Sequence, residues 1–392
     1  MKLLVKILIA IAAGVLVGWF APMWFASTFA TFNSIFSQFL GFMIPLIIVG
    51  FVTPAIADVG QQAGKLLVAT AALAYAATTF AGLLAYFTGT LTFPTLIGGE
   101  TGLAAVESGI KIEPYFTVEI PAPLPVMTAL VISFVMGLGI AFIKGDVLKR
   151  GFTELREIVQ KVINKAIIPV LPLYIFGIFL NMTVEGQVGA IMRTFAKIIV
   201  VIFILHIVIL LLQYSIAAMF NGKNPLKMLK TIMPAYFTAL GTQSSAATIP
   251  VTLRQTIEMG VDKDVAGFVV PLCATIHMSG SAMKITACAL ALVILHGQPV
   301  ETTTFIHFIA MLGITMVAAP GIPGGSIMAA LGLLSGILGF DQEMLALMIA
   351  LYITMDSFGT ACNVTGDGAL AVILGRFFGK KKENRLSRVN HP

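Results

Sequence analysis

The polar residues that could carry chemistry in this chain are concentrated near its C-terminal end, within an apolar stretch. The segment DSFGTACNVTGD contains four of them: Asp356, Thr360, Asn363 and Asp367. On a helix, with about 100° per residue, these side chains project within about 40° of one another. Their oxygen atoms could bind a hard cation such as Na⁺ or the ammonium group of a substrate. The spacing therefore predicts one polar stripe that faces the interior of the protein.

The two aspartates of this stripe have different surroundings in the sequence. Asp356 lies near the middle of an apolar segment, where a charge costs several kcal/mol, and such residues usually mark ion or substrate paths. Asp367 lies close to an asparagine amide and suits Na⁺, which prefers oxygen ligands. Two alternatives stay open. Asp356 could cap a helix break or reach an interface, and Asp367 could have a structural hydrogen bond alone.

A second unusual polar set lies in PLCATIHMSGSAMKI (271–285). His277 and Lys284 are seven residues apart and share a helix face. His277 could be a ligand or a neutral, hydrogen-bonded core residue. Lys284 is roughly ten residues from the nearest flanking charge, which is too deep for its ammonium group to reach water easily. We therefore predict that Lys284 meets a carboxylate, either that of Asp356 or one of a substrate.

The composition places these residues in a lipid bilayer. Of the 392 residues, 58% are hydrophobic and only 11% are charged, and the mean hydropathy is +0.98. Soluble domains carry about 25% charged residues, so the chain is predicted to be an integral membrane protein. The net charge of +6 does not indicate a nucleic-acid partner, because the basic residues lie at the ends of apolar runs. The N-terminal run could pass for a signal peptide, but we interpret it as the first of many spans.

Eight apolar runs are long enough to cross a membrane as helices. They lie near residues 4–27, 30–58, 64–92, 122–145, 152–184, 190–221, 263–296 and 342–378. Lysines and arginines at alternate ends of these runs place both termini in the cytoplasm and the acidic loop 93–123 outside. Arg193 and Lys197, near the outer end of the sixth run, are exceptions to this pattern.

Two further apolar segments contain turn-forming residues, TALGTQSSAATIP (238–250) and APGIPGGS (319–326). Because glycine and proline interrupt helical hydrogen bonding, we predict that each segment enters and leaves the membrane on one side. Two tips that point inward from opposite sides indicate a binding site near the midplane. The predicted fold is thus an all-α membrane protein with eight transmembrane helices plus two re-entrant helical hairpins.

Four motifs in this order resemble those of a known family: QSSAATIPVTLR (243–254), PLCATIHMSGSA (271–282), GIPGGS (321–326) and DSFGTACNVTGD (356–367). Through them the chain resembles the dicarboxylate/amino acid:cation symporters, which include glutamate transporters and neutral amino acid exchangers. The resemblance covers essentially the whole chain, with a weaker similarity in GFMIPLIIVGFVTPAI (41–56). Tyr75, Thr78 and Thr79 lie where the family places sodium ligands of the third span.

This resemblance implies the fold of the glutamate transporter homologues, in a homotrimer located in the cell's inner (plasma) membrane. A fixed scaffold would hold a transport domain that moves across the bilayer as an elevator. The implied division is residues 1–62, scaffold spans one and two; 63–121, the third span (transport domain) and outer loop; 122–222, spans four and five (scaffold) and six (transport domain); and 223–392, the transport core.

The family's binding residues map onto both polar sets and both hairpin tips. Asp356 would receive the α-amino group of a substrate, and Asn363, Thr360 and tip amides near Ser245 would hold its α-carboxylate. The substrate-binding set implied by the resemblance is Ser244, Ser245, Ser281, Lys284, Ile322, Gly324, Asp356, Gly359, Thr360 and Asn363. The implied sodium ligands are Cys273, Thr275, His277, Met316, Ala319, Asn363 and Asp367. Asp367, Asn363 and the backbone around Cys273 would form one sodium site, and Thr275 with backbone carbonyls near Met316–Ala319 would form a second.

Departures from the family pattern bear on the substrate and the coupling ions. Gly359 stands where transporters of acidic amino acids have an arginine, which binds a carboxylate bidentately. In some members of the family the first hairpin also contributes an arginine, and here Gln243 or its neighbours stand at that place. Ser279 replaces the carboxylate of a third sodium site, so we expect one or two sodium ions. Lys284 could replace a cation or the lost arginine.

These features predict a secondary active transporter that couples sodium to symport of a neutral amino acid by an elevator mechanism. The alternative is a symporter of an acidic amino acid or C4-dicarboxylate, with Lys284 binding the substrate carboxylate and with protons as a further coupling option. An enzyme is not predicted, because the sequence offers no nucleophile–base pair or metal-ligand cluster. A channel would need rings of repeated polar residues and no occluding hairpins.

Overall fold

The computed structural model describes residues 3–61, 64–97, 112–143, 145–319 and 323–379. Within these ranges the chain forms fifteen α-helices and one π-helical turn, and no strand. The predicted all-α class is therefore confirmed. Ile322, which belongs to the predicted substrate-binding set, lies outside the described residues.

The first half of the chain consists mainly of long apolar helices. They are α1 (Leu3–Gly18), α2 (Met23–Gln61), α3 (Lys65–Ile97), α4 (Val126–Phe142), α5 (Val147–Val162), α6 (Ile168–Val184) and α7 (Val188–Asn221). The π-helical turn Ile163–Ile167 joins α5 to α6 in one continuous run. The break between the first two helices lies at residues 19–22, whereas the sequence predicted it at 28–29. Pro22 explains the difference, because proline lacks the N–H group that a helix interior requires and favours a helix start.

The second half consists of shorter helices arranged as two hairpins and two interrupted spans. The hairpins pair α8 (Pro225–Thr242) with α9 (Ser245–Glu258) and α12 (Thr302–Ala318) with α13 (Gly325–Gly336). The interrupted spans are α10 (Lys263–Ile276) with α11 (Ser279–Leu295), and α14 (Gln342–Thr354) with α15 (Asp356–Phe378). This order agrees with the hairpin and span order expected from the turn-forming residues.

Both interrupted spans break beside polar side chains. His277 and Met278 separate α10 from α11. Met355 separates α14 from α15, which meet at an angle of 63°. A break in a membrane helix leaves backbone N–H and C=O groups without helical partners, and these groups need protein or a water-filled cavity around them. The breaks therefore bring free backbone groups close to the polar stripe on α15.

Helix packing divides the described helices into two groups. In the first, α2 packs against α4, α5 and α6, and α1 packs against α6. In the second, α15 packs against α7, α8, α9, α10 and α11, while α3 packs against α11 and α12. The second group thus holds the first hairpin and both interrupted spans around α15, while the second hairpin packs on α3, α14 and α2. Relative movement of the two groups stays a prediction.

The lengths and apolar character of the helices make the chain a multi-pass membrane protein. Among the described residues, α2, α3, the α5–α6 run, α7 and the α10–α11 run are long and apolar enough to cross a membrane. The bent α14–α15 pair adds a sixth when it counts as one span. The helices α1 and α4 are apolar but have only 16 and 17 residues. The predicted number of eight crossings stays a prediction.

Candidate functional site

The predicted polar stripe lies on α15 and is buried. The exposed fractions are 5% for Asp356, 9% for Thr360, 5% for Asn363 and 0% for Asp367. Hydrogen bonds join this face of α15 to the second hairpin, to α11 and to the α10–α11 break. The stripe therefore faces inward, as the helical spacing predicted.

Asp356 is the first residue of α15 and contacts the tip of the second hairpin. Its Oδ2 accepts a hydrogen bond of 2.9 Å from the backbone N–H of Gly324. Gly324 has a φ of +75°, a left-handed conformation that favours glycine. The other oxygen, Oδ1, lies 3.6 Å from Nζ of Lys284. Asp356 thus links the α14–α15 break, a hairpin tip and a buried ammonium group.

Lys284 brings its cation from α11 to the same place. Its side chain is fully buried, and Nζ donates a 3.2 Å hydrogen bond to the carbonyl of Met355. Nζ also lies 3.7 Å from the centroid of the Tyr352 ring, a cation–π contact. Of the two carboxylates considered for Lys284 at the sequence level, the structure places that of Asp356 beside it.

The end of the Lys284 side chain occupies the space beside Gly359. A Cβ atom at residue 359 would lie 2.4 Å from Cε and 2.5 Å from Nζ of Lys284. Any larger side chain at 359 would therefore have to displace the lysine. The ammonium group stands in the volume into which a side chain from this position of α15 would project.

Asn363 holds α15 against the N-terminus of α11. Its Oδ1 accepts hydrogen bonds from the backbone N–H groups of Gly280, at 2.8 Å, and Ser281, at 3.3 Å. Its Nδ2 donates to Oγ of Ser281, which also pairs with the Tyr352 hydroxyl at 3.0 Å. Thr360 donates from Oγ1 to the Asp356 carbonyl at 3.0 Å. In this state the amide and the hydroxyl are both engaged within the protein.

The tip of the first hairpin reaches the start of α15 through Gln243. This residue adopts φ +58° between α8 and α9, and its Nε2 donates a 2.7 Å hydrogen bond to Oγ of Ser357. Ser244 caps α9, with Oγ accepting from the N–H of Ala247 at 3.2 Å. Ser245 begins α9 and is buried. The N-terminus of α9 thus lies next to the α14–α15 break, and helix N-termini favour anions.

Asp367 meets His277 at the α10–α11 break. Oδ1 of Asp367 lies 2.9 Å from Nδ1 of His277, and both side chains are fully buried. On the other side of the ring, Nε2 of Gln213 lies 3.5 Å from Nε2 of His277 and donates to Oγ of Ser279 at 3.3 Å. His277 is thus fully buried and contacts a carboxylate and an amide, and its role as a ligand or as a core residue stays a prediction.

Gln213 was not identified from the sequence. It lies on α7 within the apolar run HIVILLLQYS (206–215) and is 6% exposed. A clue was available, because His206 and Gln213 are seven residues apart and share one helix face. Both contact the α10–α11 region, since Nε2 of His206 lies 3.4 Å from the Gly280 carbonyl oxygen.

The residues proposed for a second sodium site lie at two helix ends. Thr275 is in the last turn of α10, and Met316 and Ala319 lie at the end of α12, which contacts α10. Helix C-termini carry carbonyl groups without helical donors and a partial negative charge. The Thr275 hydroxyl donates to the Leu272 carbonyl at 2.7 Å, which leaves the lone pairs of its oxygen available beside the last-turn carbonyls.

The third-span residues contact the interrupted seventh span and the second hairpin. Oγ1 of Thr78 accepts a 3.2 Å hydrogen bond from the N–H of Met278. Oγ1 of Thr79 packs against Gly313 of α12, where a Cβ atom would approach it to 2.5 Å. In the described ranges, no group of three or more His, Cys, Asp or Glu residues could hold a metal ion.

Comparison with known proteins agrees with this geometry. The model of the sodium:dicarboxylate symporter family matches residues 3–377. Excitatory amino acid transporter 2 of Homo sapiens is 34% identical over 146 residues, which are 37% of this chain. That similarity spans 25% of the human protein. The extent of the family match shows that the chain belongs to the sodium:dicarboxylate symporter family, a family of membrane transporters and not of enzymes.

Proposed function

We propose that this symporter carries a small organic anion with two carboxylates, a C4-dicarboxylate or an acidic amino acid, together with sodium. Lys284 would bind the second carboxylate. This is the alternative that the sequence left open, and one observation carries it. Nζ of Lys284 lies in the volume beside Gly359 where a side chain of α15 would otherwise project.

Charge balance supports the same substrate class. In the pattern of acidic amino acid transporters, an arginine three residues after the aspartate supplies one positive charge beside it. Here Gly359 removes that charge, and Lys284, which is 3.6 Å from Asp356, restores it from another helix. A lysine offers a point charge where arginine offers a planar fork, so we expect weaker geometric selection among anions.

The remaining substrate contacts would come from helix ends that favour anions. The N-terminus of α9, at Ser244 and Ser245, approaches the start of α15 through the Gln243–Ser357 hydrogen bond. The free N–H groups of this helix end suit the substrate carboxylate that Lys284 does not bind. Asn363 and Thr360 would join them after exchanging their present partners. In an acidic amino acid, the ammonium group would take the place of Lys284 beside Asp356, leaving the lysine for the distal carboxylate.

A neutral amino acid is the second candidate, and one observation favours it. Nζ of Lys284 already faces the Met355 carbonyl, the Asp356 carboxylate and the Tyr352 ring. A lysine that keeps these partners is a counter-ion of the protein and binds no second carboxylate. Displacement of the lysine from Asp356 would then admit a substrate ammonium group, with Gly359 leaving room for an uncharged side chain.

Sodium coupling is proposed at the ends of α10 and α12. The last-turn carbonyls near Thr275, Met316 and Ala319 supply oxygen ligands of the kind that hard cations prefer. In membrane transporters, the C-terminal ends of interrupted helices commonly coordinate Na⁺. Because these carbonyls adjoin the second hairpin, a bound ion would favour the closed tip that contacts Asp356 through Gly324.

Transport by an elevator movement in a plasma-membrane homotrimer is the mechanism we propose for this site. The helix packing supports it, since α1, α2, α4, α5 and α6 pack mainly among themselves, while the first hairpin and both interrupted spans pack against α15. A mass measurement of the detergent-solubilised protein tests the trimer. Cysteine pairs placed between α2 and α13, which are in contact here, would trap one position of the movement.

A competition assay tests the substrate class. Serine, alanine, leucine, aspartate and succinate compete for the purified protein at saturating Na⁺, with thermal stabilisation by each ligand as the readout. We expect aspartate or succinate to bind most tightly, and Lys284→Met to weaken those acids selectively by about 2–5 kcal/mol. Tighter binding of any neutral amino acid than of both acids would establish the second candidate.

A further inference from the structure

The buried Asp367–His277 pair lies apart from the substrate region and changes the expected role of Asp367. We infer that the imidazole of His277 occupies the cation position at Asp367, so that this carboxylate is not a sodium ligand in this protein. His277 is then a positioning residue that fixes Asp367 to the α10–α11 break. The inference rests on the proposed sodium coupling and is independent of which substrate is carried.

The oxygens expected to form this sodium site already accept hydrogen bonds from protein groups. Oδ1 of Asp367 has the His277 Nδ1 at 2.9 Å. Oδ1 of Asn363 accepts from two backbone N–H groups of α11, at 2.8 and 3.3 Å. The carbonyl of Cys273 accepts from the His277 N–H at 2.8 Å. Both lone pairs of the Asn363 Oδ1 are therefore engaged, and Oδ1 of Asp367 has the His277 imidazole where a cation would otherwise lie.

The second oxygen of Asp367 does not by itself make a site. Oδ2 is buried and has no hydrogen-bond partner in the part of the chain that the structure describes. A hard cation needs several oxygen ligands, and this carboxylate oxygen supplies one of them. Gln213 and His277 pack closely on the neighbouring residue of α15, since a Cβ atom at Gly366 would lie 2.6 Å from Oε1 of Gln213 and 2.6 Å from Cε1 of His277.

The protein holds the imidazole from three directions. The His277 backbone N–H bonds the Cys273 carbonyl and so ends α10, while its ring lies between the Asp367 carboxylate and the Gln213 amide. Gln213 also reaches Ser279, the residue that stands where the family pattern has a carboxylate. One connected group therefore joins Asp367, His277, Gln213 and Ser279, and the helix ends near Thr275 and Ala319 are left for sodium.

Sodium titrations of three variants test this inference. The measurement is the Na⁺ concentration that gives half-maximal thermal stabilisation without substrate, with choline chloride holding ionic strength constant. We expect Asp367→Asn to change this midpoint by less than about twofold. We expect His277→Asn to lower it by about tenfold or more, because the carboxylate and a new amide oxygen become available to the ion. His206→Asn, which removes another buried imidazole, is the matched control and should leave the midpoint unchanged.

The His277→Asn result decides the question even where Asp367→Asn fails to fold. An unchanged or higher sodium midpoint in His277→Asn would overturn the inference, as would a rise of about tenfold in folded Asp367→Asn. The ligand panel at saturating Na⁺, run on the same preparations, separates this outcome from a failure of the proposed function. A wrong substrate class alters the order of ligands and leaves the substrate-free sodium midpoints as they are.

Discussion

Two carboxylates on the same face of α15 each meet a basic side chain from the seventh span, yet the two pairs differ in geometry. The Asp356–Lys284 contact is 3.6 Å long, and the Asp356 side chain is 8% exposed beside a hairpin tip. The Asp367–His277 contact is 2.9 Å long, and both side chains are fully buried. A long contact at a hairpin tip can exchange its partner for a ligand, whereas a short, sealed contact is part of the fold.

The same difference extends to the surrounding groups. Around Asp356 the partners are a hairpin-tip amide and a lysine with a flexible stem. Around Asp367 the partners come from the interiors of α7 and the α10–α11 break. Substitutions in the first region should therefore change ligand binding, and those in the second should change stability and ion response.

The largest effect is expected from Asp356→Asn. The change leaves the ammonium group of Lys284 buried without a counter-charge, which costs about 3–5 kcal/mol of folding free energy. It should also abolish binding of the amino acids in the panel, because their ammonium group loses the Asp356 carboxylate. Thermal unfolding and ligand-dependent stabilisation of the purified protein measure the two effects.

The double variant Asp356→Asn/Lys284→Met separates these effects. Removing both charges should restore most of the stability while ligand binding stays lost, because no buried charge is left unpaired. Wild-type ligand affinity in Asp356→Asn would show that the exchangeable pair lies elsewhere.

The second largest effect is expected when the positive side chain is moved from one helix to another. Lys284→Ala/Gly359→Arg moves the positive charge from α11 to α15 in the volume that the lysine now fills. We expect Lys284→Ala to lose binding of aspartate and succinate, and the added arginine to recover about 2 kcal/mol or more of it. Competition binding measures this recovery.

Gly359→Arg with Lys284 intact is the control for that exchange. The new side chain meets Cε and Nζ of the lysine, so this variant should be less stable than the double variant. Recovery of serine or alanine binding in the double variant, with no recovery of the acids, would favour the neutral amino acid.

The sequence predicted the fold well because its signals are local. Glycine and proline in APGIPGGS locate the second hairpin, and the period of the four polar residues locates one face of α15. The first helix boundary was misplaced because the run on both sides of Pro22 is uniformly apolar, and hydropathy does not mark a turn within it.

The candidate site was less predictable because its partners are distant in sequence. The depth of Lys284 indicated that it needs a carboxylate, but only the packing of α11 on α15 identifies Asp356 as that partner. The sequence was compatible with His277 as a ligand or as a core residue. Its contact with Gln213, which lies 64 residues away on another helix, bears on that choice. Spacing within one helix cannot reveal such a contact.

A smaller effect should follow from adding one methyl group beside the sealed pair. In Gly366→Ala the new Cβ would lie 2.6 Å from both Gln213 and His277, so the side chains must shift. Overpacking of this kind typically costs about 1–3 kcal/mol. Gly267→Ala, on α10 with open space around the added atom, is the control and should be neutral or slightly stabilising. Thermal unfolding compares the two, and equal stability would contradict tight packing around His277.

The smallest effect should separate two glutamines, one from each region. Gln213→Leu removes contacts of 3.3 and 3.5 Å, and it also removes Oε1, a buried atom without a hydrogen-bond partner among the described residues. A hydrogen bond contributes about 1 kcal/mol, and losing an unsatisfied oxygen offsets part of that loss, so stability should change by less than about 1 kcal/mol. Gln243→Leu removes a 2.7 Å bond to Ser357 at a hairpin tip and should weaken ligand binding more than it lowers stability. Thermal unfolding and ligand titration of both variants measure these effects. Weaker ligand binding in Gln213→Leu than in Gln243→Leu would show that the region around Asp367 and His277 takes part in substrate recognition.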